Sequence, residues 1–314
     1  MQTKINKTAP IMFPPSVFII VLQYNNSQDT LECLESLKEL DYPNFRIVVV
    51  DNASNEAEVN NIKSYTESQV NPKTYNLKLI TNPSNLGYAG GNNVGIKYAL
   101  EKGADCIFIL NNDTVVEPDV LKKLIAAAET DPTVGIIGPA IKEGQKTAYF
   151  GKISWLKTEL THSSTPPAEK YLKPKEYVIG AAMLVKKEVL EKIKGFDEIY
   201  FLYFEDADLN IRAQLAGYEL KIVPEAIVHH KVSATTKKLG SPIVLRYHSR
   251  NALIFNSLNA PWTVKPFLIF WSGYIVLKNL VKMFVMPSKA PAADAIIEGV
   301  LDFYKNKFGA IVPK

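Results

Sequence analysis

Cysteine is scarce in this chain. Cys33 and Cys106 are the two thiols in 314 residues; they lie in apolar periodic segments and lack metal-ligand spacing. A disulfide-dense scaffold is excluded, and two reduced core thiols favour the cytosol. Charge of one sign is also missing. Lys and Arg number 36 against 32 Asp and Glu, a net charge of +4. That balance does not suggest a nucleic-acid binder, although it suits a phosphate-rich substrate or an anionic membrane surface. The N-terminus, Met1 to Pro15, is polar and proline-punctuated with no apolar signal region, so export by that route is not expected. Pro266 to Leu277 is an uncharged run of twelve residues, and spanning a bilayer takes about 20. Neither the Walker loop nor the dinucleotide fingerprint occurs among its glycines.

What is present describes an ordinary folded protein, 47% hydrophobic and 22% charged, long enough for one large domain or one domain plus an extension. Val17 to Leu22 and Arg46 to Val50 are apolar runs of the kind buried on both faces of a sheet. Leu77 to Thr81 and Cys106 to Leu110 read as further strands. Helices are expected over Thr30 to Leu40, Asn55 to Ser68 and Asn93 to Lys102, alternating with the strands. That alternation predicts an α/β fold with a doubly wound, mostly parallel sheet. Ligands of such sheets sit beyond the carboxyl ends of the strands, and each of these strands ends on polar groups: Tyr24-Asn25, Asp51-Asn52, Asn82 to Asn85, and Asn111-Asn112-Asp113. Residues 142–177 read as a long irregular loop. A strand over Tyr177 to Val185, a helix over Lys186 to Ile193, and a strand over Glu219 to Val223 follow. From Ser241 onward the pattern is helical.

Three segments carry candidate chemistry. In Tyr200 to Arg212, the carboxylates Glu205, Asp206 and Asp208 follow an aromatic run and open a helix read over Asp206 to Ala216. Buried acids need water, a partner or a substrate; helix capping and an Asp208–Arg212 pair at i,i+4 would account for some of them. Asn85 to Gly95 holds four glycines and three asparagines. Small residues there would let backbone amides approach phosphate or sugar oxygens at a helix start, and a tight glycine turn is the simpler alternative. Asp113, with neighbouring amide oxygens, suits a hard divalent cation bridging a diphosphate, and either His229 or His230 could add a ligand or a phosphate contact.

Taken in order, Val48-Val-Val-Asp-Asn-Ala-Ser54, Asn85-Leu-Gly-Tyr-Ala-Gly-Gly-Asn-Asn93, Leu110-Asn-Asn-Asp-Thr114, Gly195-Phe-Asp-Glu198, Phe204-Glu-Asp-Ala-Asp-Leu209 and His230-Lys-Val-Ser233 resemble the inverting nucleotide-sugar glycosyltransferases of family 2. The resemblance implies a GT-A fold over residues 16–238, divided into a nucleotide-sugar half (17–113) and an acceptor half (114–238), between a tail (1–15) and a helical extension (239–314). By that resemblance Asp51 contacts the base. Tyr24, Asn25, Asn52, Asn85, Gly87, Gly90, Gly91, Asn92, Asn93, Asn111 and Asn112 line the nucleotide-sugar pocket. Asp113 matches the last acid of the family's Asp-x-Asp motif, whose first acid is here Asn111. His230 matches the later metal or diphosphate histidine, favoured over His229 by the Lys-Val-Ser that follows. Asp206 matches the catalytic base, with Glu205 beside it, and the implied cofactor is Mg²⁺ or Mn²⁺.

The motif combination, with Tyr247-His-Ser-Arg-Asn251, also resembles the rhamnosyltransferase-like branch. That implies dTDP-L-rhamnose as donor and a cell-surface polysaccharide or lipid-linked glycan as acceptor. Other donors (UDP-galactofuranose, UDP-N-acetylhexosamine) and a non-catalytic nucleotide-sugar binder are the alternatives. Trp155 and Arg250 are candidate acceptor contacts. A nucleotidyltransferase would carry a glycine-rich basic loop after the first strand, and Gln23 to Ser27 is unlike one. Aromatics and flanking lysines over 262–286 fit a helix lying in a membrane interface, which would put the protein in the cytoplasm, peripheral at the inner membrane face; a helix packed on the catalytic domain or at a dimer interface is the alternative.

Overall fold

The structure is a computed structural model describing residues 14–68, 76–231 and 241–311. The expected tail therefore lies outside the described residues up to position 13, as do Val232 and Ser233 of the His-Lys-Val-Ser motif. The first half follows the alternation read from the sequence. It runs β1 (Val17–Gln23), α1 (Ser27–Lys38), β2 (Phe45–Asp51), α2 (Glu56–Ser68), β3 (Leu77–Thr81), α3 (Gly87–Glu101) and β4 (Cys106–Asn111). These strands pair in parallel, and their register aligns the carboxyl ends: Gln23 sits opposite Asp51, and Leu22 opposite Asn111. Val17, Ile19, Ile20 and Val21 are fully buried, so each contributes about 1.5–3 kcal/mol of burial.

Next come β5 (Thr114–Val116), α4 (Val120–Glu129), β6 (Val134–Glu143) and β7 (Lys146–Ala148), a stretch in which the sequence reading assigned no element before residue 142. Strand β6 lies deep in the sheet although Gly138 and Pro139 interrupt it. Such residues usually mark edges or bulges, which hides the strand from pattern reading. The expected irregular loop over 142–177 is corrected by β8 (Phe150–Ser154), β9 (Glu159–Ser163) and β10 (Glu176–Tyr177), which form a separate antiparallel sheet in the order β10-β8-β9. Most of β9 is solvent-facing, so it lacks the apolar alternation that advertises a strand.

Then β11 (Ala182–Lys186), α5 (Lys187–Ile193), α6 (Glu205–Leu215) and β12 (Glu219–His230) complete the sheet. The order is β3-β2-β1-β4-β11-β6-β12-β5, with β7 on β6. The sheet is mixed but mostly parallel: β11, β5 and β7 run against the other strands. Strand β12 continues seven residues past the expected Val223 because a register shift between Val223 and Ile227 absorbs Pro224 as a bulge. Beyond it, α7 (Pro242–Asn259), α8 (Phe267–Val285) and α9 (Ala290–Tyr304) form the helical C-terminal region.

Candidate active site

A cavity of about 570 Å³ opens beyond the carboxyl ends of β1, β2 and β4. Of the residues singled out from sequence, Tyr24, Asn52, Asn85, Gly87, Asn111, Asn112, Asp113, Glu205, Asp206 and His230 line it. Asn25, Asp51, Gly90, Gly91, Asn92, Asn93, Trp155 and Arg250 do not.

One wall carries an acid–imidazole cluster. Pairing of β12 with β5 sets His230 opposite Thr114 and so beside Asp113. His230 Nε2 stands 3.1 Å from Asp113 Oδ1, while His230 Nδ1 contacts Glu143 Oε1 at 2.6 Å. Burial alone would lower the imidazole pKa, but the Asp113 and Glu143 contacts outweigh it and raise it to about 9. Strand alternation turns the adjacent His229 outward, where it meets Glu117 at 2.7 Å. Glu143 was missed by the sequence reading, because only the β6–β12 pairing brings it to the histidine.

Another wall holds the acid pair at the start of α6. Asp206 Oδ2 accepts a hydrogen bond from the Gly180 amide at 3.0 Å, and Oδ1 one from the Ala207 amide at 2.8 Å. Position 180 must be small, since a Cβ there would meet Asp206 at 2.9 Å. Burial raises the Asp206 carboxyl above its ordinary value, opposed by those amides and by His162. Glu205 is pushed well above its ordinary value by burial and then by the Asp206 charge. Of the two, Asp206 has the better donors, so its carboxyl is the easier to ionise. Asp208 is held structurally: it pairs with Arg212 at 2.6 Å and accepts bonds from Tyr200 and Asn259.

The backbone leading into α6 is strained. Phe201, Tyr203 and Phe204 all have positive φ, at 62°, 71° and 75°, costing about 1–2 kcal/mol each for residues with a Cβ. Asn251 on α7 clamps this turn by donating to the carbonyls of Tyr200, Leu202 and Tyr203 at 2.7, 2.7 and 3.2 Å. Arg250, expected as an acceptor contact, is 1% exposed and donates to the carbonyls of Tyr200, Lys307 and Gly309. Its guanidinium is spent inside the fold, away from the cavity. Trp155 is likewise packed in, stacked on Phe255 with centroids 5.3 Å apart.

The glycine-rich segment also differs from expectation. It forms the first turns of α3 rather than a loop before it, and its leading amides are occupied. Gly87 N–H bonds Asn85 Oδ1, and the amides of Tyr88 and Ala89 bond the Phe201 carbonyl. Gly91 is small because Leu22 lies 2.5 Å from where its Cβ would be, and Gly90 likewise abuts Leu86. Asn52 organises the region, donating to Asn85 Oδ1 and the Gly87 carbonyl and accepting from Asn82 and Leu86. Asn93 joins α3 to Phe196 and Glu198, Asn92 bonds the Tyr88 carbonyl, and Asn25 fastens the β1–α1 turn to Asn55. Asn112 ties its turn to Thr30.

Two acceptors remain unpaired at the strand ends, Asp51 Oδ1 and Asn111 Oδ1, both buried. Buried polar atoms rarely stay without partners; of these two residues, Asn111 lines the cavity and Asp51 does not. Among the described residues no cluster of three or more His, Cys, Asp or Glu side chains is placed to hold a metal. Asp113 and His230 nonetheless fit a cation that completes its shell with substrate oxygens and water. Their 3.1 Å spacing is that of adjacent ligands at about 2.1 Å from an octahedral ion. Glu143 on the far imidazole nitrogen is the usual orienting partner of a metal-binding histidine.

Comparison with known proteins agrees with the fold. Over 246 residues the chain is 25% identical to the dTDP-rhamnosyl transferase RfbF of Shigella flexneri, covering 76% of this chain and 79% of that one. It is 24% identical over 234 residues to the N-acetylglucosaminyl-diphospho-decaprenol L-rhamnosyltransferase of Mycobacterium tuberculosis, covering 65% and 75%. The fold matches a mannosyltransferase of Pyrobaculum calidifontis solved with GDP-Man and Mn²⁺, at a TM-score of 0.57 and 18% identity over 94% of this chain and 89% of that one. The family model for glycosyl transferase family 2 matches residues 18–194. The chain belongs to glycosyl transferase family 2, and rhamnosyltransferases are among its relatives.

Proposed function

We propose that this glycosyltransferase inverts configuration, moving L-rhamnose from dTDP-L-rhamnose to a hydroxyl of a cell-surface polysaccharide or lipid-linked glycan. The carrying observation is that one cavity is lined both by the Asp113–His230 pair and by Asp206 with its raised pKa. Inversion in one displacement needs a base for the attacking hydroxyl and charge stabilisation for the departing diphosphate. The donor assignment rests on the rhamnosyltransferases among the relatives, one of which is named for a decaprenol-linked substrate.

Asp206 takes the acceptor proton as the oxygen attacks the anomeric carbon. Its burial raises its basicity, while the Gly180 and Ala207 amides fix its orientation. Asn111 Oδ1 accepts a hydrogen bond from the nucleotide-sugar, with Tyr24, Asn52, Asn85 and Asn112 shaping its pocket. Asp113 and His230 hold a divalent cation, Mg²⁺ or Mn²⁺, which when bound supplies charge neutralisation to the diphosphate. The protein acts in the cytoplasm at the inner face of the membrane, where lipid-linked acceptors are made.

The test is nucleotide release by purified protein from a panel of dTDP- and UDP-sugars, with Mg²⁺, Mn²⁺ or EDTA and a crude lipid-linked acceptor, for wild type and Asp206→Asn. Metal-dependent release from dTDP-L-rhamnose, lost in Asp206→Asn with donor binding retained, is expected. Turnover that survives Asp206→Asn would overturn the base assignment, and release from another donor alone would overturn the sugar.

A further inference from the structure

Helix α8 has its polarity inverted. Ser272 and Asn279 face inward at 2% and 5% exposure, while Phe270 and Phe284 face outward at 76% and 83%. The inward polar groups are satisfied: Ser272 Oγ pairs with Tyr304 Oη at 2.6 Å, and Asn279 donates to the Ile275 carbonyl at 2.8 Å. A helix packed on a domain in water shows the reverse arrangement. Trp262, Phe267, Leu277 and Val281 extend the outer face, and all are at least half exposed. Exposed apolar surface of this extent marks an interaction site.

The charges on this region have one sign. No Asp or Glu occurs between Glu225 and Asp294, whereas Lys265, Lys278, Lys282 and Lys289 lie in or beside the helix. A second copy of this chain would bring the same lysines to the contact; an anionic lipid surface would meet them with opposite charge. At 19 residues, α8 is long and apolar enough to cross a membrane by length and composition alone, which the shorter uncharged run did not suggest. Its neighbours argue against crossing. Helix α9, packed along it, exposes Asp294 as well as carrying Glu298 and Asp302 paired with Arg246 of α7, and an exposed acid belongs in water rather than hydrocarbon.

We propose that the outer face of α8 lies in the interface of an anionic bilayer, its aromatic side chains among the acyl chains and Lys278 and Lys282 at the headgroups. An apolar groove of about 470 Å³ between α8 and α9, lined by residues including Val276, Leu280 and Leu301, accommodates lipid chains beside the helix. This assignment specifies the membrane contact of the proposed function, but vesicle binding uses no sugar and so stands or falls separately from the transferase reading.

The experiment is co-sedimentation of the full chain with vesicles of phosphatidylcholine alone, or of equal parts phosphatidylcholine and phosphatidylglycerol, with light scattering on the free protein. Binding to the anionic vesicles is expected to exceed binding to the neutral ones and to fall as salt is raised. Lys278→Gln with Lys282→Gln should lower partitioning roughly thirty-fold. Phe270→Glu with Phe284→Glu should remove it, while far-ultraviolet circular dichroism stays unchanged because both positions are exposed. Equal binding to both vesicle types would overturn the charge argument. No binding to either, with a dimer that the phenylalanine variant dissociates, would overturn the proposal in favour of a second copy.

Discussion

Replacing Asn251 with leucine tests whether the C-terminal helices set the geometry of the acid pair. Asn251 is fully buried, and its amide supplies two N–H groups to the carbonyls of Tyr200, Leu202 and Tyr203. Leucine has a similar volume and donates nothing. Buried acceptors left unpaired cost about 1–3 kcal/mol each, so two lost bonds amount to about 2–6 kcal/mol. The left-handed residues Phe201, Tyr203 and Phe204 store about 3–6 kcal/mol between them. Because the clamp and the strain are of equal size, removing the clamp lets the turn relax. Glu205 and Asp206 follow this turn directly, and Phe201 also caps α3 through its carbonyl. A displacement of about 1 Å at a reacting group costs on the order of 10²-fold. The expected result is a fall in kcat of that order at a temperature well below Tm, with donor KM changed far less. Leu253→Ala is the control, since Leu253 is fully buried on the same helix outside the clamp and its truncation costs about 2–5 kcal/mol. It should lower Tm while leaving turnover intact below Tm. If Asn251→Leu loses stability but keeps wild-type turnover, the clamp is packing only and the positioning argument fails.

Two further outcomes follow from the site's electrostatics. Glu205 in the folded protein binds its proton more tightly than its ordinary value of 4.5, so above pH 4.5 the folded state holds more protons than the unfolded one. Stability therefore falls as pH rises through that window. Glu205→Gln should gain Tm relative to wild type between pH 5 and 8 and match it below about pH 4; parallel Tm profiles would refute the buried-acid reading. Glu143→Gln keeps the shape but weakens the hold on His230 Nδ1, so Mn²⁺ affinity by calorimetry should fall about 10–100-fold, and unchanged affinity would remove Glu143 from the site.

Much of the fold was legible because its first half is repetitive. Uninterrupted apolar strands such as Val17–Gln23, each ending on amides or acids, announce a parallel sheet and where its ligands go, since both properties depend on local periodicity. The ordered motifs likewise single out Asp113, Asp206 and His230, which the fold brings to one cavity. What escaped depends on contacts between distant parts of the chain. Strand β9 is stabilised by backbone pairing with β8 rather than by an apolar pattern, so it read as a loop. The glycines of α3 looked like an anion cradle, but Leu22 and Phe201 explain their smallness. Arg250, within Tyr247-His-Ser-Arg-Asn251, reads as a candidate acceptor contact; only the packed structure shows its donors spent on carbonyls. Asn251 and Glu143 act through partners 48 to 87 positions away. The sequence by itself determined the parallel first half of the sheet and the family, and named the main candidate groups, because these follow from residue pattern. Tertiary structure alone decided which polar groups are spent on the fold and which stay free for a substrate, because hydrogen-bond partners are chosen by proximity in space.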